Sequence, residues 1–145
     1  MGPIEFHDRV QGGYAVLFAH PSAYSATAET EILDLARHAG AFVSLGCTIV
    51  GLSQSDPMTE QTWLDELTER TGLPIPFPVL SDEDGRIGEA LGLTQETTAL
   101  NQPVGKVFVI GPDLLIRAIF ECTHPVPCSA SDLLRVLRLL KAAAV

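Results

Sequence analysis

Long apolar runs, clusters of basic residues and an even set of cysteines are all missing from this sequence. The strongest apolar run, Tyr14 to Ala19, has the length of a β-strand, so no membrane span is predicted. The nine lysines and arginines are scattered over a chain of net charge −9, which argues against a basic face for nucleic acid or an anionic membrane. Met1 to Glu5 has neither the basic region nor the apolar core of a signal peptide, which predicts a cytoplasmic location. The odd count of three cysteines disfavours a secreted disulfide framework and favours reduced thiols.

The composition indicates one folded domain over residues 1–145, because 46% of the residues are apolar and 19% are charged. Strand-like runs rich in Val, Ile, Leu and Phe occur at 15–19, 48–52, 77–80, 107–110 and 115–120. Helical periodicity falls between them, at 32–39 and at 133–140, and Asp56-Pro57 is a typical helix start. Gly111-Pro112-Asp113 predicts a hairpin turn. This alternation predicts an α/β fold with helices on both faces of a sheet.

The segment from His20 to Glu31 carries the most specific pattern in the chain. It follows a predicted strand, opens a helix near Thr27, and spaces Pro21, Ser25 and Ala28 as Pro-x-x-x-Ser-x-x-Ala. This pattern resembles the peroxiredoxin signature, Pro-x-x-x-Thr/Ser-x-x-Cys, with alanine in place of the cysteine. The one-cysteine branch of that family, the alkyl hydroperoxide reductase and thiol-specific antioxidant proteins, is also similar at 4–8, 16–21, 76–82, 106–113 and 131–136.

The resemblance implies a thioredoxin-like α/β fold of the peroxiredoxin type, with a central mixed sheet, helices on both faces and no cofactor. It places Ala28 at the peroxidatic cysteine, Ser25 at the hydroxyl that bonds substrate and Pro21 at the ring that shields the site. Members of the branch usually continue into a segment that builds their dimer. The chain stops at Val145, directly after the last predicted helix, so a homodimer is expected to use other surfaces.

Two arginines that the resemblance implies are also replaced. The strand arginine falls on Gly105, and the arginine before the last helix falls at or next to Cys128. Lys106 is adjacent to the first position, but neighbouring strand residues point to opposite faces. Glu31 resembles the structural glutamate that positions these arginines.

Two functions remain open. The first is a catalytically degenerate peroxiredoxin with a small pocket lined by Pro21, Tyr24, Ser25 and Ala28, beside His20, that serves binding or regulation through a small-molecule ligand. The alternative is a thiol peroxidase that reduces hydrogen peroxide or alkyl hydroperoxides, seen with its peroxidatic cysteine changed to alanine. One engineered change would leave both arginines in place, which favours the first function. A third, weaker class is an enzyme of unknown reaction that reuses the pocket through His20 or Cys128.

The cysteines have both reactive and structural interpretations. Cys122, His124 and Cys128 share one short segment and could be a redox pair or zinc ligands, but their spacing fits no standard zinc pattern. A buried strand-end Cys122 and a loop Cys128 are favoured, with no metal, and Cys47 is predicted to pack in the core.

A lipid hydrolase is rejected on the same resemblance. Some one-cysteine peroxiredoxins act on phospholipids through a Ser, His and Asp set, of which His7 and Asp113 match two positions. Gly13 stands at the serine position, so the nucleophile is missing.

Overall fold

The computed structural model describes residues 12–20, 26–82, 84, 86, 104–123 and 128–143, with the backbone alone at 20, 27, 104, 105 and 123. In chain order the described elements are β1 Tyr14–His20, α1 Ala26–Arg37, α2 Ala39–Ser44, β2 Cys47–Ser53, α3 Pro57–Thr71, β3 Val79–Ser81, β4 Val104–Ile110, β5 Ile116–Thr123 and α4 Ala130–Ala143. None of these helices is long and apolar enough to cross a membrane.

The sheet is mixed, as the resemblance predicts. Its five strands are ordered β3-β2-β1-β4-β5. Strands β1, β2 and β3 are parallel to one another, and β4 is antiparallel to both of its neighbours, β1 and β5. The predicted turn at Gly111-Pro112-Asp113 joins the last two strands, where the Gly111 N–H donates to the Leu115 carbonyl at 2.9 Å. Parallel strands with crossover helices, followed by a hairpin and a helix, form the thioredoxin-like arrangement.

Buried side chains form one cluster on each face of the sheet because strand residues alternate between faces. The first cluster joins Val16 and Val109 of the strands to buried residues of all four helices, among them Ile32, Trp63 and Leu133. The second cluster is Ala15, Leu17, Ala19, Val50, Leu52, Phe108 and Ile110. The four described helices therefore all pack on the first face. Helices on the second face, which the sequence predicts, are not among the described elements, so this part of the prediction is not tested by the described residues.

Helix α3 begins where the sequence predicts it. Asp56 accepts hydrogen bonds from the Thr59 hydroxyl at 2.7 Å and from the Thr59 N–H at 2.9 Å, and Pro57 is the first helical residue. These bonds, led by the one from the hydroxyl, hold the pKa of Asp56 below its ordinary value. The helix ends at Thr71, and the next residue, Gly72, caps it with a φ of 70° that glycine adopts readily.

Two predicted elements differ in length from the structure. The helical periodicity over 32–39 predicts one helix, but α1 ends at Arg37 and α2 restarts at Ala39, with the Ala41 N–H bonded to the His38 carbonyl. The strand predicted at 77–80 begins only at Val79, since Pro78 has no N–H for the sheet. Apolar periodicity predicts which residues are buried, and both segments contain buried residues. It does not show where a helix breaks or where a strand begins.

We expect Gly51→Ala to destabilise the fold, because a Cβ at this position would lie 2.6 Å from Phe18 Cζ and 3.0 Å from Val79 Cγ2. The Phe18 ring cannot easily move aside, since it is 2% exposed and packs edge-to-face on Phe77. Overpacking of this kind costs about 2 kcal/mol of unfolding free energy. Gly40→Ala is the matched control: nothing lies within 4 Å of its Cβ, so a helical alanine should stabilise by roughly 0.5 kcal/mol. Denaturant unfolding measures both, and equal stabilities would contradict the expected clash.

Candidate functional site

Ala28 lies in the first turn of α1 and is 3% exposed. Its methyl group belongs to the first buried cluster, which also contains Cys128. The amino-terminal end of a helix carries a partial positive charge, which would favour a thiolate at this position. Alanine has no group that ionises or attacks, so the helix end has no nucleophile to activate here.

The remaining predicted pocket residues are only partly within the described structure. His20 ends β1, where its backbone pairs with Ser53 of β2, and its side chain is outside the description. Pro21, Tyr24 and Ser25 lie outside the described residues. The pocket that these residues would form with Ala28 therefore stays a prediction.

Strand β4 brings no basic side chain from residues 106–110 to the face that holds Ala28. Val107 and Val109 belong to the same cluster as Ala28, whereas Phe108 belongs to the opposite one. Lys106 alternates with Val107 and pairs with Glu121 of β5, its Nζ lying 3.1 Å from the carboxylate Oε1. The β-bulge of this strand pair falls at Val109/Ile110. It lies beyond Lys106 in the strand, so it does not change the face of the sheet to which Lys106 points. Lys106 therefore does not take the place of a guanidinium at Gly105.

Cys122 and Cys128 are joined by a disulfide, with Cα atoms 5.6 Å apart. Cys122 is opposite Gly105 in the β4–β5 register, so the bond begins beside the strand position at which the resemblance implies an arginine. It ends at Cys128, at or next to which the resemblance places the second arginine. The bridge therefore borders both altered positions.

The disulfide corrects two sequence-based expectations. Reduced thiols were expected, and separate roles were favoured for Cys122 as a strand end and Cys128 as a loop residue, but the two sulfurs are bonded to each other. The burial part of that interpretation is confirmed for Cys128, which is 6% exposed. In this oxidised state neither sulfur is a thiolate, so neither can bind zinc. His124, the third candidate ligand, lies outside the described residues.

Two carboxylates of α1 hold the segment that carries Cys128. The Cys128 N–H donates to Glu31 Oε2 at 2.9 Å, and the Ala130 N–H donates to Asp34 Oδ2 at 2.8 Å. Residues three apart lie on the same helix face, so both oxygens are presented to one stretch of backbone. The Asp34 carboxylate, which is on α1, thereby accepts a hydrogen bond from one of the N–H groups at the start of α4 that have no acceptor within their own helix. The Glu31 carboxylate therefore anchors the backbone at Cys128.

Sequence reasoning missed Asp34, and it favoured separate roles for Cys122 and Cys128 over a redox pair. The signal for Asp34 was its three-residue spacing from Glu31 on a helix whose other face is apolar. The signal for the disulfide was the short separation between two cysteines that follow a predicted strand.

Cys47 is far from the disulfide and is confirmed as a core residue. It is 5% exposed and pairs with Tyr14 at the start of β1, whereas Cys122 lies opposite Gly105, near the end of β1. The rise along a strand puts these ends on the order of 20 Å apart. Burial raises the pKa of the Cys47 thiol to about 12, with Lys141 offsetting only part of the shift. This thiol is therefore neither a nucleophile nor a partner for the pair.

The candidate lipid-hydrolase residues do not form a catalytic set within the described residues. Asp113 is in the β4–β5 turn and forms an ion pair with Arg117 at 2.5 Å. Gly13 lies just before β1, and His7 falls outside the described residues. The ion pair gives Asp113 a structural role in the hairpin.

Comparison with known proteins places the chain in one family. Residues 2–119 match the AhpC/TSA family. Peroxiredoxin 1 of Caldanaerobacter subterraneus subsp. tengcongensis is 33% identical over 91% of this chain and 61% of its own length. The peroxiredoxin of Archaeoglobus fulgidus is 28% identical over 97% of this chain and 65% of its own. The chain thus spans less than two thirds of the length of these relatives.

Solved structures agree with the sequence relatives. A yeast mitochondrial 1-Cys peroxiredoxin superposes with a TM-score of 0.87 and 25% identity, over 96% of this chain and 68% of its own. A cysteine-to-serine mutant of peroxiredoxin 6 from Arenicola marina superposes with a TM-score of 0.84 and 26% identity, over 96% and 66%. The fold, the family match over residues 2–119 and these relatives together establish that the chain belongs to the AhpC/TSA family, the peroxiredoxins.

Proposed function

We propose that this protein is a catalytically degenerate peroxiredoxin of the cytoplasm. It does not reduce peroxides, and the pocket lined by Pro21, Tyr24, Ser25 and Ala28 serves to bind a small molecule or to regulate a partner. The observation that carries the proposal is Ala28 itself, a buried methyl group in the first turn of α1.

The residues around Ala28 also support the loss of peroxidase activity. A peroxidatic thiolate needs a lowered pKa and a positive group that polarises the O–O bond. The helix end remains, but β4 presents Val107 and Val109 on this face and keeps Lys106 on the other. The second arginine position, Cys128, is engaged in a disulfide. Both the nucleophile and its electrostatic support are therefore altered.

A homodimer belongs to the same proposal. Strand β5 is at one edge of the described sheet, and it exposes Ile116 and Ile119, with Leu115 just before it. An unpaired edge with exposed apolar side chains is a natural place for a second copy to pair. We propose this edge as the dimer surface.

The competing function is a thiol peroxidase whose cysteine has been changed to alanine at position 28. The relatives named as peroxiredoxins support this function. Gly105 and Cys128 count against it, since a single change at position 28 would not alter them. The codon for residue 28 in the natural gene separates the two functions.

Peroxide turnover tests the proposal directly. We expect the protein, mixed with hydrogen peroxide or cumene hydroperoxide and dithiothreitol, to consume no peroxide beyond the rate of the dithiol alone, because residue 28 has no sulfur. Peroxide loss is followed by a colorimetric assay at several protein concentrations. A rate that rises in proportion to protein would overturn the proposal, and the same assay on Cys122→Ser/Cys128→Ser would then show whether the disulfide pair is responsible.

A further inference from the structure

We propose that the Cys122–Cys128 disulfide is a redox site that exchanges with an external dithiol. The site is distinct from residue 28 and needs no peroxide. Its substrate class is a dithiol, either a small molecule or a pair of neighbouring thiols on a protein surface.

The two sulfurs differ in access. Cys122 lies near the end of the edge strand β5 and keeps part of its surface exposed, whereas Cys128 is 6% exposed. An attacking thiolate must approach one sulfur along the S–S axis, so exposure selects the sulfur that is attacked. Cys122 Sγ is therefore the electrophile and Cys128 Sγ the leaving group.

The exchange balances with the dithiol alone. The thiolate of the dithiol bonds to Cys122 Sγ, and the Cys122–Cys128 bond breaks with its electron pair on Cys128 Sγ, which takes up a proton. The second thiol of the dithiol loses its proton, attacks the mixed disulfide and releases Cys122 as a thiolate, which is then protonated. The protein gains two electrons and two protons, and the dithiol leaves as a disulfide. The reverse reaction, with an oxidised dithiol, restores the bond.

The fold does not rely on the S–S bond to keep Cys128 in place. The Glu31 and Asp34 carboxylates hold the backbone at Cys128 and Ala130, and Leu133 and Leu137 anchor α4 in the core. The bond itself spans a sequence separation of only 6, so it closes a short loop. Cys122 and Cys128 therefore stay near each other after reduction, as a reversible couple requires.

In the cytoplasmic location proposed above, a disulfide that persists without turnover would be unusual. Cytosolic disulfides are generally transient and either catalytic or redox-sensing. The third thiol cannot compete for either partner, since Cys47 is buried at the other end of the sheet with a pKa raised to about 12. The chain thus contains one isolated pair and one inert thiol.

Thiol titration of the folded protein tests the site, with Cys47 as an internal control. The oxidised protein should show no thiol to Ellman's reagent while folded and one, Cys47, in guanidinium chloride. After brief treatment with dithiothreitol and desalting it should show two thiols while folded and three in guanidinium chloride. Incubation of the reduced protein with oxidised dithiothreitol should return the count to zero. The proposal is overturned if dithiothreitol releases no thiol until the protein is unfolded, or if the two thiols of the reduced protein do not reoxidise.

Single variants test which sulfur is attacked. Cys128→Ser leaves the more exposed Cys122, and it should react with Ellman's reagent at least about tenfold faster than Cys122→Ser, which leaves the buried Cys128. Circular dichroism of each variant confirms that it is folded. The reverse order of rates would overturn the assignment of Cys122 as the electrophile. None of these measurements uses peroxide, so their failure is separable from failure of the proposed function.

Discussion

A protein carrying Ala28→Cys, Cys122→Ser and Cys128→Arg should form a sulfenic acid with hydrogen peroxide about a hundredfold faster than one carrying Ala28→Cys, Cys122→Ser and Cys128→Ser. Both variants have a thiol at the first turn of α1, and both lack the disulfide. They differ only at residue 128, which is arginine in one and serine in the other. The comparison therefore tests the arginine that we infer has been lost.

The physical reason is the balance between burial and charge at position 28. Ala28 is 3% exposed, and burial alone raises the pKa of a thiol in this protein, as Cys47 shows with its value of about 12. The helix end offsets part of that cost. A guanidinium in the same cluster would stabilise the thiolate further and polarise the peroxide, and the Glu31 carboxylate beside position 128 would balance its charge.

Dimedone trapping followed by mass spectrometry measures the sulfenic acid at position 28 in both variants. Cys47 should remain unlabelled, which provides a reference within each sample. Equal rates for the two variants would mean that position 128 does not act on residue 28, and the inferred arginine position would then be wrong.

Glu31→Ala should lower the free energy of unfolding by about 3 kcal/mol, or roughly 10 °C in Tm. Glu31 is 6% exposed, and its Oε2 accepts the Cys128 N–H at 2.9 Å. Removing the carboxylate leaves that buried N–H without this acceptor, in addition to the loss of a charge-assisted hydrogen bond. Thermal unfolding followed by circular dichroism, with the disulfide intact, gives the change.

Glu29→Ala is the matched control for this prediction. Glu29 is on the same helix and forms an ion pair with Arg70 at the protein surface, so its loss should cost no more than about 1 kcal/mol. Glu31→Gln keeps an acceptor oxygen and should fall between the two. If Glu29→Ala destabilises as much as Glu31→Ala, the anchoring role of Glu31 is refuted.

Local features of the fold could be predicted because their causes are local. The cap at Asp56 and the first-turn Pro57 mark the start of α3 through chemistry within one turn. Strands β1 and β2 match the predicted runs to within one residue at each end, since branched apolar residues at 15–19 and 48–52 suit a buried sheet. The face of the sheet to which Lys106 points could be predicted from strand alternation, and the two buried clusters agree with that prediction.

The disulfide could not be predicted with the same certainty, because sequence separation does not report the direction of two Cβ atoms. Their approach depends on the β4–β5 register, which puts Cys122 opposite Gly105, and on the docking of Cys128 against Glu31. Both are long-range arrangements. The break at His38 and the shortened β3 likewise depend on packing that periodicity does not record.

The amino-acid sequence by itself determined the family resemblance and the missing sulfur at Ala28, since both are statements about which side chains are present and in what order. The tertiary structure alone decided that Cys122 and Cys128 meet and that Glu31 and Asp34 support the last helix. The type of a side chain limits the chemistry that it can perform. Contact between side chains also requires chain segments nearly a hundred residues apart to come together, and the burial of a shared core brings them together.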